Sequence, residues 1–269
     1  MQLMTDIRKK IQEQPPLVHN MTNDVVTNFS ANGLYAIGAQ PVMANAKEEV
    51  QEMAAQADAL VINIGTLTEP QISAMVLAGQ AANEAGTPVI FDPVGVGATA
   101  FRTETCERIL SRVKVAAIRG NSGEIARLAG LPVVVRGVDS DAELEKPELA
   151  AKAVAEHFQT TVVMTGETDV ITDGKKVITC SNGHMLQSKV TGTGCLLTAV
   201  VGAYVCKHHD VLEASACAVA FYGAAAEQAA SLSEPAPGSF QVHFLDQLYL
   251  ITDEDLQQRV KLQTKEEGD

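Results

Sequence analysis

Short apolar runs rich in Val and Ile, each closed by a turn residue and followed by a helix-length stretch, constrain this chain's fold more than any other feature. PLVHN (Pro16 to Asn20) precedes a helical stretch from about Thr22 to Ile37, and ALVINIG (Ala59 to Gly65) precedes Pro70 to Ala85. PVIFDPV (Pro88 to Val94) leads through a glycine-rich loop to a helix near Thr103 to Val113. VAAIRGN (Val115 to Asn121) opens a short helix ending at Gly130, and VVV (Val133 to Val135) follows as a further strand. Pro147 to Phe158 then reads as helix and TTVVMTG (Thr160 to Gly166) as strand. Continuous apolar strands are buried on both faces, and their alternation with helices predicts βαβ units in one parallel sheet.

The alternation breaks after Gly166. DVITDGKKVITCSNG predicts an antiparallel hairpin near residues 169–181, Val170 to Thr172 against Lys176 to Cys180, turning at Asp173-Gly174. Gly194 to Lys207 and Asp210 to Leu232 are long Ala-rich helical stretches. A loop, Pro235 to Phe240, precedes a last apolar segment and a polar tail over about 262–269, expected to fray. With no repeat and no linker, the 269 residues are expected to form one α/β domain, three-layered, with a mostly parallel central sheet flanked by helices.

Composition excludes several functions. A net charge of −13 repels phosphate backbones and anionic lipid, and an aromatic content of 4% leaves few rings to stack on bases, so neither nucleic acid nor membrane is an expected partner. Five cysteines without a CxxC pair read as reduced thiols. The N-terminus has no signal-peptide core, and the longest apolar run, Cys195 to Cys206, falls short of the ~20 residues a membrane span needs. A cytoplasmic location is the expectation.

GVGATA (Gly95 to Ala100) matches a dinucleotide fingerprint in letters only, because it follows Asp92-Pro93 rather than linking the first strand to its helix. A phosphate loop of the GxxxxGK[ST] type is absent. KVTGTGCLLTAVVGAY (Lys189 to Tyr204) carries more: a Thr-Gly-Thr-Gly turn runs directly into an apolar helix. Gly192 and Gly194 admit unusual backbone conformations, and the first helical turn offers free N–H groups to an anion. Cys195 sits at that mouth, where a thiol's pKa can fall. A plain glycine turn before a core helix with a buried Cys accounts for the same letters.

The TGTGC turn late in an alternating α/β chain resembles the anion hole of ribokinase-like kinases. Most of those kinases carry GxGD there, and Cys in place of Asp marks the hydroxyethylthiazole kinase branch. The resemblance extends to TNDVVTNFSANGL (Thr22 to Leu34), NIGTL (Asn63 to Leu67), IFDPVGVGAT (Ile90 to Thr99), AIRGNSGEIARL (Ala117 to Leu128) and VMTGETDVI (Val163 to Ile171), in order over about residues 15–240. It implies a ribokinase-like fold and ATP-dependent phosphorylation of 4-methyl-5-(2-hydroxyethyl)thiazole, a salvage step towards thiamine diphosphate, by a homotrimer using Mg2+.

Matching positions imply roles. Cys195 stands beside the reacting hydroxyl's proton, Met43 and Gly192 contact substrate, Arg119 and Thr165 contact ATP, and Asp92 and Glu124 form an acidic pair near magnesium and phosphates. Asn23 lies near the thiazole and a subunit boundary by the same likeness. From the residues alone, Asp92 also serves as a turn residue before Pro93, Glu124 as a helix-start acid, Arg119 as an ion-pair partner, Met43 as core and Thr165 as a strand-end hydroxyl. Kinases of hydroxymethylpyrimidine or pyridoxal, an ADP-dependent dehydratase of the same fold, and a non-catalytic nucleotide sensor are the alternatives.

Overall fold

The computed structural model describes residues 1–131, 146–233 and 235–265. Six strands form its parallel part: β1 (Leu17–Met21), β2 (Gln40–Val42), β3 (Ala59–Asn63), β4 (Val89–Asp92), β5 (Ala117–Asn121) and β6 (Thr161–Thr165). Then β7 (Asp169–Thr172), β8 (Val177–Cys180) and β9 (Leu262–Lys265) add on antiparallel. Among the described residues they make one nine-stranded sheet, in the order β2-β1-β3-β4-β5-β6-β7-β8-β9. The chain winds outward from β1 to β2, returns to β3 on the other side, and then proceeds strand by strand. That reversal between β1 and β3 is where open α/β sheets leave a crevice at the strands' carboxyl ends.

Strand periodicity sorts the core into two layers. On β3, Ala59 and Val61 join one apolar cluster while Leu60 and Ile62 join the other; on β6, Val163 faces one way and Val162 and Met164 the other. The first face is covered by α1 (Gln2–Glu13), α2 (Thr27–Ile37), α8 (Thr193–Val205), α9 (Val211–Ser233) and α10 (Pro237–Leu250). The second carries α3 (Val50–Gln56), α4 (Glu69–Ala85), α5 (Ala100–Leu110) and α7 (Pro147–Phe158). The short α6 (Ser122–Leu128) follows β5, and α11 (Asp253–Arg259) leads into β9. The Ala-rich α8 and α9 are interior: Ala199, Ala214, Ala218, Ala220 and Ala224 are fully buried. Small side chains let these helices pack closely on each other and on the sheet.

The expected three-layer architecture is observed, and the hairpin forms with Thr172 opposite Val177 and Gly174 at φ +93° in its turn. The differences are local. The stretch from Thr22 begins its helix only at Thr27, because the preceding residues turn towards the sheet edge. The segment from Pro235 becomes helical at Pro237, whose missing N–H costs nothing in a first turn. Part of the polar tail, Leu262–Lys265, pairs with β8 instead of fraying; residues 266–269 lie outside the described residues, as does the expected strand Val133 to Val135. Among the described residues, no helix is long and apolar enough to cross a membrane.

Candidate active site

The carboxyl ends of β1, β3, β4, β5 and β6 face the N-terminus of α8. Asp92 closes β4 and is fully buried, accepting hydrogen bonds at Oδ2 from Asn63 Nδ2 (2.9 Å) and Thr198 Oγ1 (2.7 Å). Its Oδ1 is buried with no hydrogen-bond partner. Arg119 on β5 lies 4.0 Å from Asp92 Oδ2 and donates to Thr165 Oγ1 at 2.7 Å, while its buried Nε has no partner. The guanidinium rests on the glycine turn: a Cβ added at Gly194 would lie 2.6 Å from Arg119 Nη1. Gly192, the residue capping α8, has φ +91°, and a Cβ there would come within 2.7 Å of Val26. Gly192 is therefore required by its dihedral, while Gly194 leaves room for the cation above it. From behind, Tyr222 of α9 donates to the carbonyl of Thr193 at 2.6 Å and fixes the turn.

Cys195 sits in the first turn of α8, with Asn23 Nδ2 3.3 Å from its Sγ. The sequence expectation of a lowered thiol pKa is not met. Burial pushes Cys195 up to about 12, Asp92's charge adds to that, and Arg119 with the Asn63 and Asn23 amides only partly opposes it. At neutral pH the group is a protonated thiol.

Glu124 forms the N-terminal capping box of α6 with Asn121. Its Oε1 accepts the N–H of Gly95 and its Oε2 the N–H of Asn121, each at 2.8 Å. Burial first, and then the nearby Asp92 charge, raise it to about 7. Burial likewise raises Asp92, against the pull of Arg119, Thr198 and Asn63. Two buried carboxylates, one of them raised by the other's charge, describe a place that welcomes a cation.

That donor chemistry fits Mg2+. Asp92 Oδ1 is a hard oxygen with no protein partner, and Glu124 keeps further lone pairs beside its two backbone contacts. Among the described residues, no cluster of three or more His, Cys, Asp or Glu forms a complete cage. Mg2+ suits such a partial site, since it retains waters and takes phosphate oxygens.

Of the residues singled out in the sequence, the structure brings Asp92, Glu124, Arg119, Thr165, Gly192 and Cys195 to one edge of the sheet. Met43 lies apart from their hydrogen-bond network, half-buried just past β2, where His19 Nε2 meets the carbonyl of the next residue, Ala44, at 2.7 Å. Two participants escaped the sequence reading. Asn63 ends β3 inside the NIGTL motif, and Thr198 stands one helical turn beyond Gly194, the spacing that puts both on one face of α8.

The model of the hydroxyethylthiazole kinase family matches residues 8–254. The structure of hydroxyethylthiazole kinase from Pyrococcus horikoshii superposes with a TM-score of 0.91 at 42% identity, covering 99% of this chain and 100% of that one. More distant structures share the fold alone. A ribokinase-like superfamily protein from Enterococcus faecalis has TM-score 0.64 at 14% identity, over 90% of this chain and 93% of its own. The ADP complex of Bacillus subtilis pyridoxal kinase has TM-score 0.60 at 17% identity, over 79% and 92%. A glycine turn beneath an arginine, a buried acidic pair, and a Cys at the turn's end thus occur in a chain that belongs to the hydroxyethylthiazole kinase family.

Proposed function

We propose that the protein transfers the γ-phosphoryl group of ATP to the hydroxyl of 4-methyl-5-(2-hydroxyethyl)thiazole. One observation carries this reading: Arg119, with an unpartnered buried Nε, lies over the Gly192–Gly194 turn at the N-terminus of α8, within 4.0 Å of the buried Asp92. A cation, a helix N-terminus and free backbone N–H groups aimed at one point make an anion site suited to a transferring phosphoryl group. Family membership supplies the acceptor alcohol.

In this mechanism the hydroxyl oxygen attacks the γ-phosphorus in line. Arg119 and the amides of the glycine turn stabilise charge on the phosphoryl oxygens, and Thr165 orients Arg119. Asp92 Oδ1 and Glu124 would hold Mg2+, which neutralises phosphate charge when bound. Cys195 stands beside the hydroxyl's proton; held as a protonated thiol it takes no proton itself, and the hydroxyl's proton passes to a phosphoryl oxygen after the P–O bond has begun to form. A loose transition state needs little help from a base, so positioning and electrostatics dominate. Gly192 and Met43 contact the alcohol in this reading.

The chain acts as a single kinase domain, in the cytoplasm, as a homotrimer. Exposed Val25 just before α2 and Tyr35 on it, with Val242 and Tyr249 on the adjacent α10, support a subunit contact on this face.

ADP release from Mg-ATP tests the proposal, with hydroxyethylthiazole, hydroxymethylpyrimidine and pyridoxal compared in parallel and EDTA as control. Metal-dependent turnover confined to the thiazole alcohol is the expected result. Turnover on the pyrimidine or pyridoxal alone would move the activity to a sister reaction, and no turnover with ATP still bound would leave a nucleotide sensor.

A further inference from the structure

Asn63 is buried at the end of β3, on the side of the crevice between β1 and β3, and its amide makes contacts that leave its orientation no freedom. The backbone N–H of Gly65, which can only donate, lies 2.9 Å from Asn63 Oδ1. That contact fixes which end of the amide is oxygen. The other end, Nδ2, then donates to Asp92 Oδ2. Asn63 Oδ1 also accepts from Asn23 Nδ2 at 3.0 Å, so Asn23 in turn must present its NH2 group here rather than its oxygen. The same Nδ2 lies 3.3 Å from Cys195 Sγ. Asn23 is also packed against Gly65, where an added Cβ would stand 2.7 Å from its Nδ2, so this glycine provides the room for the arrangement.

We propose that Asn63 is a positioning residue for the phosphoryl-transfer site: it locks the Asn23 amide with its N–H groups towards Cys195, so that the sulfur always accepts from Asn23 and its own proton points elsewhere. One backbone N–H, at Gly65, thereby sets the polarity of an Asp92–Asn63–Asn23–Cys195 relay. Aspartate cannot replace either member, since an ionised carboxylate cannot donate to Asp92 from position 63 or to sulfur from position 23. Without Asn63, the Asn23 amide is free to turn its oxygen to the thiol and accept from S–H, which withdraws support from the thiolate. The role deepens the kinase reading and rests on it for its catalytic meaning, but the relay itself is tested without substrate.

The test is the rate of Cys195 carbamidomethylation by iodoacetamide at a single pH of about 8.5, followed by peptide mass mapping in wild type, Asn63→Leu, Asn23→Leu and the double variant. Leucine keeps the branched heavy-atom skeleton and removes every polar contact. Each single variant is expected to label Cys195 about three- to ten-fold more slowly, the effect of one lost hydrogen bond to the charged form. The double variant should be slowed by clearly less than the product of the two singles, because Asn63 acts on Cys195 in part through Asn23. Mere loosening of the site would expose the thiol and speed its labelling. Unchanged or faster labelling in either single variant, or slowing that multiplies in the double, overturns the proposal. Should Asn63→Leu not fold, Asn23→Leu alone must show the slowing, and unchanged or faster labelling in it overturns the relay. Failure of the kinase reading would appear instead in the ADP-release assay with labelling still slowed.

Discussion

Cys195 occupies a position where a carboxylate is the usual base in ribokinase-like kinases, yet its surroundings keep it protonated, with burial raising it to about 12. Such a group contributes little driving force as a base. Replacing it should therefore cost less than losing an efficient general base, for which ~10²–10⁴ is typical. We expect kcat of Cys195→Ala to fall by less than about 10²-fold, while Cys195→Asp retains activity or gains some. Steady-state kinetics on variants whose melting curves match wild type would check both. A collapse in Cys195→Asp would mean that the sulfur has a role a carboxylate cannot fill.

At the scale of the element, the first turn of α8 is where sequence and geometry meet most tightly. Its two glycines should respond differently to alanine. Gly192 sits at φ +91° with Val26 against it, so Gly192→Ala combines backbone strain with a clash and should cost on the order of 1–3 kcal/mol in thermal or denaturant unfolding. At Gly194 the obstacle is the tip of the Arg119 side chain, which can swing away. Gly194→Ala is expected to keep the melting temperature near wild type while raising KM for ATP, because the displaced guanidinium no longer covers the turn. Equal losses of stability in the two variants would contradict this division. The same scale shows what was legible in the letters. β3, β4, β5 and β6 were readable because a strand buried on both faces must be continuously apolar. Asp92, Arg119 and Thr165 stand as polar residues ending those runs, but their place in a site was legible only through the family resemblance. β2 escaped because it has three residues and a proline, and β9 because it is a mostly exposed edge strand reading LQTK. The spacing of Met4, Ile7 and Ile11 does carry the signal of α1. Asn63 and Thr198 were hidden for another reason: an amide ending a strand and a hydroxyl within a helix are ordinary, and only the approach of Asp92 distinguishes them.

For the whole molecule, buried acids set the pH response. Asp169, at the start of β7, is raised to about 7, chiefly by burial, although its Oδ1 accepts the N–H of Gly166 and Arg119 pulls the other way. A carboxyl whose folded pKa exceeds its unfolded value favours the native state below the unfolded pKa, and that contribution is lost as pH rises through the folded value. Stability from Asp169 is thus present near pH 4 and lost by about pH 7. Asn at this position keeps an oxygen for Gly166 and cannot ionise. Asp169→Asn should melt close to wild type near pH 4 and higher by on the order of 5 °C near pH 8, and a melting difference independent of pH would refute the assignment. His19 works in the opposite sense: buried and held below its usual pKa, it costs stability as pH falls below about 6.5.

The reversal of strand order between β1 and β3 has a consequence for the order in which the protein comes into being. Asn23, Asn63, Asp92, Arg119, Thr165 and Cys195 arrive one to a segment along the chain, each carried by a different strand end or by α8. A nascent chain emerging from the ribosome therefore holds no partial catalyst at any length short of α8. Until that helix leaves the exit tunnel and docks on β1, β3 and β4, Asp92 lacks Thr198 and the anion hole does not exist. Catalytic competence comes no earlier than this late docking step, so ATP turnover cannot precede the burial of α8 during synthesis.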